Sequence, residues 1–242
     1  LYLQIMSRRK KSSFKIWPLV TLTLLCVILA LVYFQRHEIK PITTITSPPH
    51  PFISHGLDVS HHQGKINWPE VIDSFDSITP FVYCKATEGE THIDTRFREN
   101  RSALKALNVK HGAYHFFQPN ADALRQASHF LAHYDFEQSD LPPVLDYEIE
   151  PENKEDQIIK ILAWLKYVEN ITGKKPLIYT SYNLYINWLS KALPDYNFWV
   201  ANYSDKAYRF QQDNIMHWQY SEKGVIRGIN GYVDLNYSKI EF

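Results

Sequence analysis

The chain has 242 residues, 45% of them hydrophobic and 14% aromatic, which excludes an intrinsically disordered protein and leaves room for one sizeable domain with flanking segments. Its formal net charge of zero conceals a division: residues 1–54 hold seven Lys or Arg against one acid, and residues 55–242 hold 19 against 25. An acidic main domain argues against a nucleic-acid partner, whose phosphates call for Lys and Arg.

Residues 1–15 form a basic tail around Arg8, Arg9, Lys10, Lys11 and Lys15. Residues 16–34 are uncharged and strongly apolar, long enough as a helix to cross a hydrocarbon core of about 30 Å. The basic flank predicts a cytoplasmic N-terminus and a retained single-pass anchor, with the main domain outside, in the periplasm or at the cell surface. Cleavage fits less well, because no small-x-small site follows the run, and lipidation at Cys26 fits poorly after Leu24-Leu25. Residues 35–54, rich in Pro, Thr and Ser, read as an extended spacer. Cys26 and Cys84 are the only cysteines, so the domain over 55–242 is expected to hold together without an internal disulfide.

From residue 55 short apolar strands alternate with helices. Gly56 to Ser60 reads as a strand, and Asn67-Trp68-Pro69-Glu70 as a helix start with proline in its first turn. Phe81 to Ala86 is a second strand, followed by a helix carrying Phe97, Arg101, Leu104 and Leu107 on one face. Gly112 to Phe117 is a third, and its helix is expected to be capped by Asn120. Leu141 to Glu150 reads as a strand with two carboxylates on one face, since Asp146 and Glu148 are two residues apart. A helix from about Lys154 closes near Gly173, and Leu177–Thr180, Phe198–Ala201, Ile215–Gln219 and Gly231–Asp234 supply four more strands. Eight strands with helices between most of them predict an irregular (β/α) barrel of the TIM-like kind. The connections over 202–214 and 220–230 are too short or polar for full helices, so the last strands should be joined by loops.

Barrel sites lie at the C-terminal strand ends. That rule gathers Asp58, Asp146, Glu148 and Asp234 with Tyr114, His115, Tyr179, Trp218 and Gln219 in one mouth. Crowded carboxylates resist joint ionisation, so one should hold its proton toward neutral pH and serve as a general acid. Aromatic faces beside acids suit a sugar, whose C–H face stacks on a ring while carboxylates handle hydroxyls and protons.

Gly56-Leu57-Asp58-Val59-Ser60-His61-His62-Gln63-Gly64, Lys85-Ala86-Thr87-Glu88-Gly89, Gly112-Ala113-Tyr114-His115-Phe116 and Asp146-Tyr147-Glu148 resemble, in that order, the glycoside hydrolase family 25 muramidases. Tyr179-Thr180-Ser181, Trp218-Gln219-Tyr220 and Val233-Asp234-Leu235-Asn236 continue the likeness across residues 55–242. The resemblance implies hydrolysis of the β-1,4 bond between N-acetylmuramic acid and N-acetylglucosamine in peptidoglycan glycan strands. It implies no cofactor or metal, and puts Glu148 in the place of the general acid, its pKa raised by Asp146 and the aromatic surroundings, with Asp58 or Asp234 steadying the oxocarbenium-like centre. Two other readings stand beside it. A metal-dependent peptidoglycan deacetylase would draw on the His129-x-x-x-His133 spacing, and a non-catalytic, membrane-tethered wall-binding module would keep the cleft without turnover. Oligomeric state is not legible in the sequence.

Overall fold

The computed structural model describes residues 42–75, 80–204 and 212–241. The chain divides after Pro41, and every element below belongs to the compact unit that starts at Ile42. The basic tail, the apolar run over 16–34 and residues 35–41 of the expected spacer lie outside the described residues. Among the described residues no helix is long and apolar enough to cross a membrane.

The strands are β1 (Ser54–Val59), β2 (Phe81–Glu88), β3 (His92–Ile93), β4 (His111–Phe116), β5 (Val144–Asp146), β6 (Leu177–Ser181), β7 (Phe198–Ala201), β8 (Ile215–Gly224) and β9 (Val233–Ser238). The helices are α1 (Trp68–Asp73), α2 (Phe97–Ala106), α3 (Ala123–His133) and α4 (Lys154–Thr172), with a further helical segment over 182–192 that contains a π-helical stretch, Tyr185–Leu189. Eight strands close a barrel in the order β1-β9-β8-β7-β6-β5-β4-β2, β2 pairing back onto β1, while β3 only folds against β2. Strands β1, β2 and β4 to β8 run parallel, and β9 is antiparallel to both β8 and β1.

Side-chain alternation along each strand sorts the apolar residues into two layers. Phe81, Tyr83, Val144, Leu177 and Trp199 fill the barrel interior, and Leu104, Phe130, Trp164 and Leu165 pack between barrel and helices. Two glycines admit the interior rings. A Cβ on Gly56 would lie 2.2 Å from the Phe81 ring, and one on Gly112 would lie 2.6 Å from that of Tyr83.

Helix boundaries follow local capping. The Asn153 side chain accepts from the amides of Glu155 and Asp156 at the start of α4, and Gly173 ends it in a left-handed conformation. At α3 the cap is Asp122, which accepts from the Arg125 amide, and not Asn120. A turn closed by Ala121 N–H to the Gln118 carbonyl separates Asn120 from the helix. The strand expected over 141–150 is hydrogen-bonded as β5 only over Val144–Asp146.

Among the described residues no helix follows β7 or β8, as their connections implied. The outer faces of β8 and β9 are covered instead by residues 42–53. Phe52, 2% exposed, packs its ring 5.6 Å from Trp218 and 6.4 Å from Tyr237, and Ile45 adds to the same layer. The Thr43 amide donates to the Val225 carbonyl (2.7 Å) and the Ile53 amide to that of Ser238 (2.7 Å). Residues 42–53 of the stretch read as spacer therefore lie on the barrel, because rings that none of the described helices shields need an apolar cover.

Candidate active site

A cleft of about 240 Å³ opens at the C-terminal ends of the parallel strands, and Asp58, Asp146, Glu148 and Asp234 all line it. Tyr114, Tyr179 and Gln219 join them, as the strand-end rule implied. Trp199, Tyr203 and Glu222 complete the wall. Trp199 sits on β7 and was readable only once its inward face was fixed. Tyr203 and Glu222 come from a loop and from the irregular end of β8, where no periodicity marks them.

His115 and Trp218 do not line the cleft. Neighbours on a strand face opposite ways, so with Tyr114 and Gln219 turned inward these two must turn outward. His115 is fully buried behind the barrel, its Nδ1 2.8 Å from the Thr87 hydroxyl and its Nε2 3.2 Å from Gln126 Oε1, and burial lowers its pKa to about 3. Trp218 lies under residues 42–53 and donates its Nε1–H to the Asn202 carbonyl at 2.7 Å. His129 and His133 also lie outside the cleft, with one ring nitrogen each near a backbone carbonyl, of His92 at 3.0 Å and of His129 at 2.8 Å.

Asp58 and Asp234 face each other directly across β1 and β9. Asp58 Oδ2 accepts from Gln219 Nε2 at 2.9 Å and from Asn236 Nδ2 at 2.8 Å. Each amide is itself held. Tyr179 and Tyr203 donate their hydroxyls to Gln219 Oε1 at 2.9 and 2.7 Å, and Trp199 donates to Asn236 Oδ1 at 2.8 Å. Burial pushes Asp58 up to about 6, against the opposing pull of the two amides, which stabilise its charged form. Asp234, also buried and then repelled by Asp58, is pushed up to about 9. Of the two, Asp234 holds its proton more tightly, and the hydrogen bond between them favours the charge on Asp58.

The second pair is Asp146 with Glu148. Asp146 is 5% exposed and raised well above the carboxylate range, first by burial and then by the charge of Glu148 and a hydrogen bond to it. Glu148 stands at the rim. Burial of its carboxyl raises its pKa, while the bond from Asp146 and the charge of Lys85 pull it down. Asp146 thus does not raise Glu148, as the sequence had suggested. The deeper carboxyl keeps the proton and donates to the outer one. Lys85 is anchored by Glu88 at 2.7 Å, with its ammonium 4.9 Å from the centre of the Phe116 ring.

The arrangement places a carboxyl of raised pKa at the rim, a buried carboxyl pair with Asp58 oriented by two amides, and aromatic side chains around them. The family described as Glycosyl hydrolases family 25 matches residues 57–229. Uncharacterized protein YegX of Escherichia coli O6:H1 is 38% identical over 215 residues, covering 84% of this chain and 76% of its own length. Lysozyme M1 of Streptomyces globisporus is 31% identical over 201 residues, covering 75% of this chain and 66% of its own. Among solved structures, a family 25 glycosyl hydrolase from Bacillus anthracis superposes with a TM-score of 0.72 at 27% identity, covering 79% of this chain and 91% of that one.

Proposed function

Because the chain belongs to glycosyl hydrolases family 25, we propose that it cleaves peptidoglycan as an N-acetylmuramidase, at the β-1,4 bond between N-acetylmuramic acid and N-acetylglucosamine. The observation that carries this reading is the convergence of four carboxyls in one aromatic-walled cleft as two proton-sharing pairs.

In this reading Glu148, protonated, donates to the leaving glycosidic oxygen. The carboxylate left on Glu148 then accepts the hydrogen bond of the still-protonated Asp146, which offsets the charge formed at the rim. Asp58 supplies negative charge toward the oxocarbenium-like carbon, its orientation fixed by Gln219 and Asn236 before substrate arrives. Protonated Asp234 keeps that charge on Asp58. Tyr114, Tyr179 and Tyr203 supply faces and hydroxyls for the sugar.

Mass spectrometry of digested, reduced peptidoglycan tests the assignment. Reducing N-acetylmuramic acid ends are expected, and N-acetylglucosamine ends would overturn it. Glu148→Gln, which keeps the shape and loses the proton, should lower turnover by at least about a hundredfold while melting like the parent. For placement, we propose that the apolar run over 16–34 anchors the enzyme in the membrane with the barrel on the outer side, supported by the length of the run and the basic cluster before it. Carbonate extraction of membranes from cells making the full chain tests this: release of the protein by carbonate would overturn it.

A further inference from the structure

A second depression, of about 320 Å³, lies on the outer side of β8 and β9. Its floor is aromatic. The rings of Tyr220 and Tyr237 stack at 4.1 Å and 12°, and Trp218 meets both, at 5.8 and 5.6 Å. Ser47 and Pro49 of the segment over 42–53 form the facing wall, so the depression exists only because that segment lies on the barrel. Tyr203 lines both this depression and the catalytic cleft.

Among the described residues the depression is lined by rings, hydroxyls and Pro49, whereas Asp and Glu line the cleft. The half-buried Tyr220 ring, backed by the buried Tyr237 and Trp218, with hydroxyls on the opposing wall, suits a pyranose ring, which is apolar on its C–H face and polar around its edge. The volume falls at the small end of ligand pockets, roughly 300 to 1,000 Å³, as expected for one ring. The polymer attacked in the cleft is far longer than a space of about 240 Å³ can hold, and Tyr203, which lines both, joins the cleft to this depression.

We propose that this depression is a remote glycan subsite, which holds an N-acetylated amino-sugar ring of the same strand away from the scissile bond. The proposal rests on the muramidase reading above. A subsite that binds ground state and transition state alike lowers KM and leaves kcat unchanged. Short substrates that do not reach the depression should not feel it.

The test compares the full chain with Tyr220→Ser, which removes half of the stacked floor, and Ser47→Trp, which fills the depression from its exposed wall. Each is assayed on long uncross-linked glycan strands and on a peptidoglycan tetrasaccharide. Both variants should raise KM for long strands about tenfold, with kcat retained and tetrasaccharide kinetics unchanged. Unchanged KM for long strands in both variants would overturn the subsite alone, as would an equal loss on both substrates. Failure of the parent to cleave either substrate would overturn the muramidase reading and the subsite with it.

Discussion

The behaviour of the Asp58 carboxyl is set by the side chains packed around it. Burial raises its pKa to about 6, and the amides of Gln219 and Asn236 hold it from going higher by donating to its charged form. Catalysis as proposed needs Asp58 ionised and Glu148 protonated together, so kcat/KM should be bell-shaped with its maximum on the acid side of neutrality. Gln219→Leu removes one donor while keeping an apolar side chain of similar length. Asp58 then holds its proton to higher pH, and the profile should move up by about half a unit or more, read from kcat/KM against pH on soluble glycan. A fall in rate with no movement of the profile would place Gln219 outside the control of Asp58. The acids themselves were legible in the sequence because an Asp-x-Glu spacing on a strand forces two carboxyls to one side. Gln219 was legible too, whereas Trp218 and His115 were assigned to the mouth although each adjoins an inward-facing residue and so faces outward.

At the scale of elements, strands and helices were legible where periodicity and capping agree. Helix α4 begins after Asn153 and stops at Gly173, as such residues dictate, and the loop after β8 follows from a connection that carries no helical stripe. The role of residues 42–53 was not legible. Their Pro, Thr and Ser content describes an extended chain, and an extended chain can equally stand free or lie along a sheet. Only the bare rings of β8 and β9 decide between these, and they are distant in sequence. The cover they require can be weighed through Phe52, which is buried against Trp218 and Tyr237. Phe52→Ala should destabilise the domain by about 3 kcal/mol, at the low end for a buried Phe because the segment can partly settle, measured by urea unfolding. A loss under about 1 kcal/mol would mean that the segment contributes little to the barrel.

The whole molecule carries the energetic burden of its acids. With folded pKa values of about 6 and about 9 against an ordinary value near 4, Asp58 and Asp234 bind protons more tightly folded than unfolded. Their contribution to stability is complete below the ordinary value and is lost as pH rises through about 6 and then about 9. Asp234→Asn keeps the size, offers an amide to Asp58 and cannot ionise. It should stabilise the protein by about 1–2 kcal/mol at pH 8, with the gain shrinking toward pH 4, while activity falls. Urea unfolding of parent and variant at several pH values checks this, and a gain that stays constant with pH would contradict it. Strand β9, which supplies Asp234 and Asn236, is the last strand of the barrel in chain order, yet it is seated between β1 and β8. A ribosome extending the chain at roughly 5–20 residues per second releases Asp58 many seconds before its partners exist. Nascent and truncated chains therefore lack the groups that orient Asp58, and the four-carboxyl cleft is complete only once this final strand has been made and inserted.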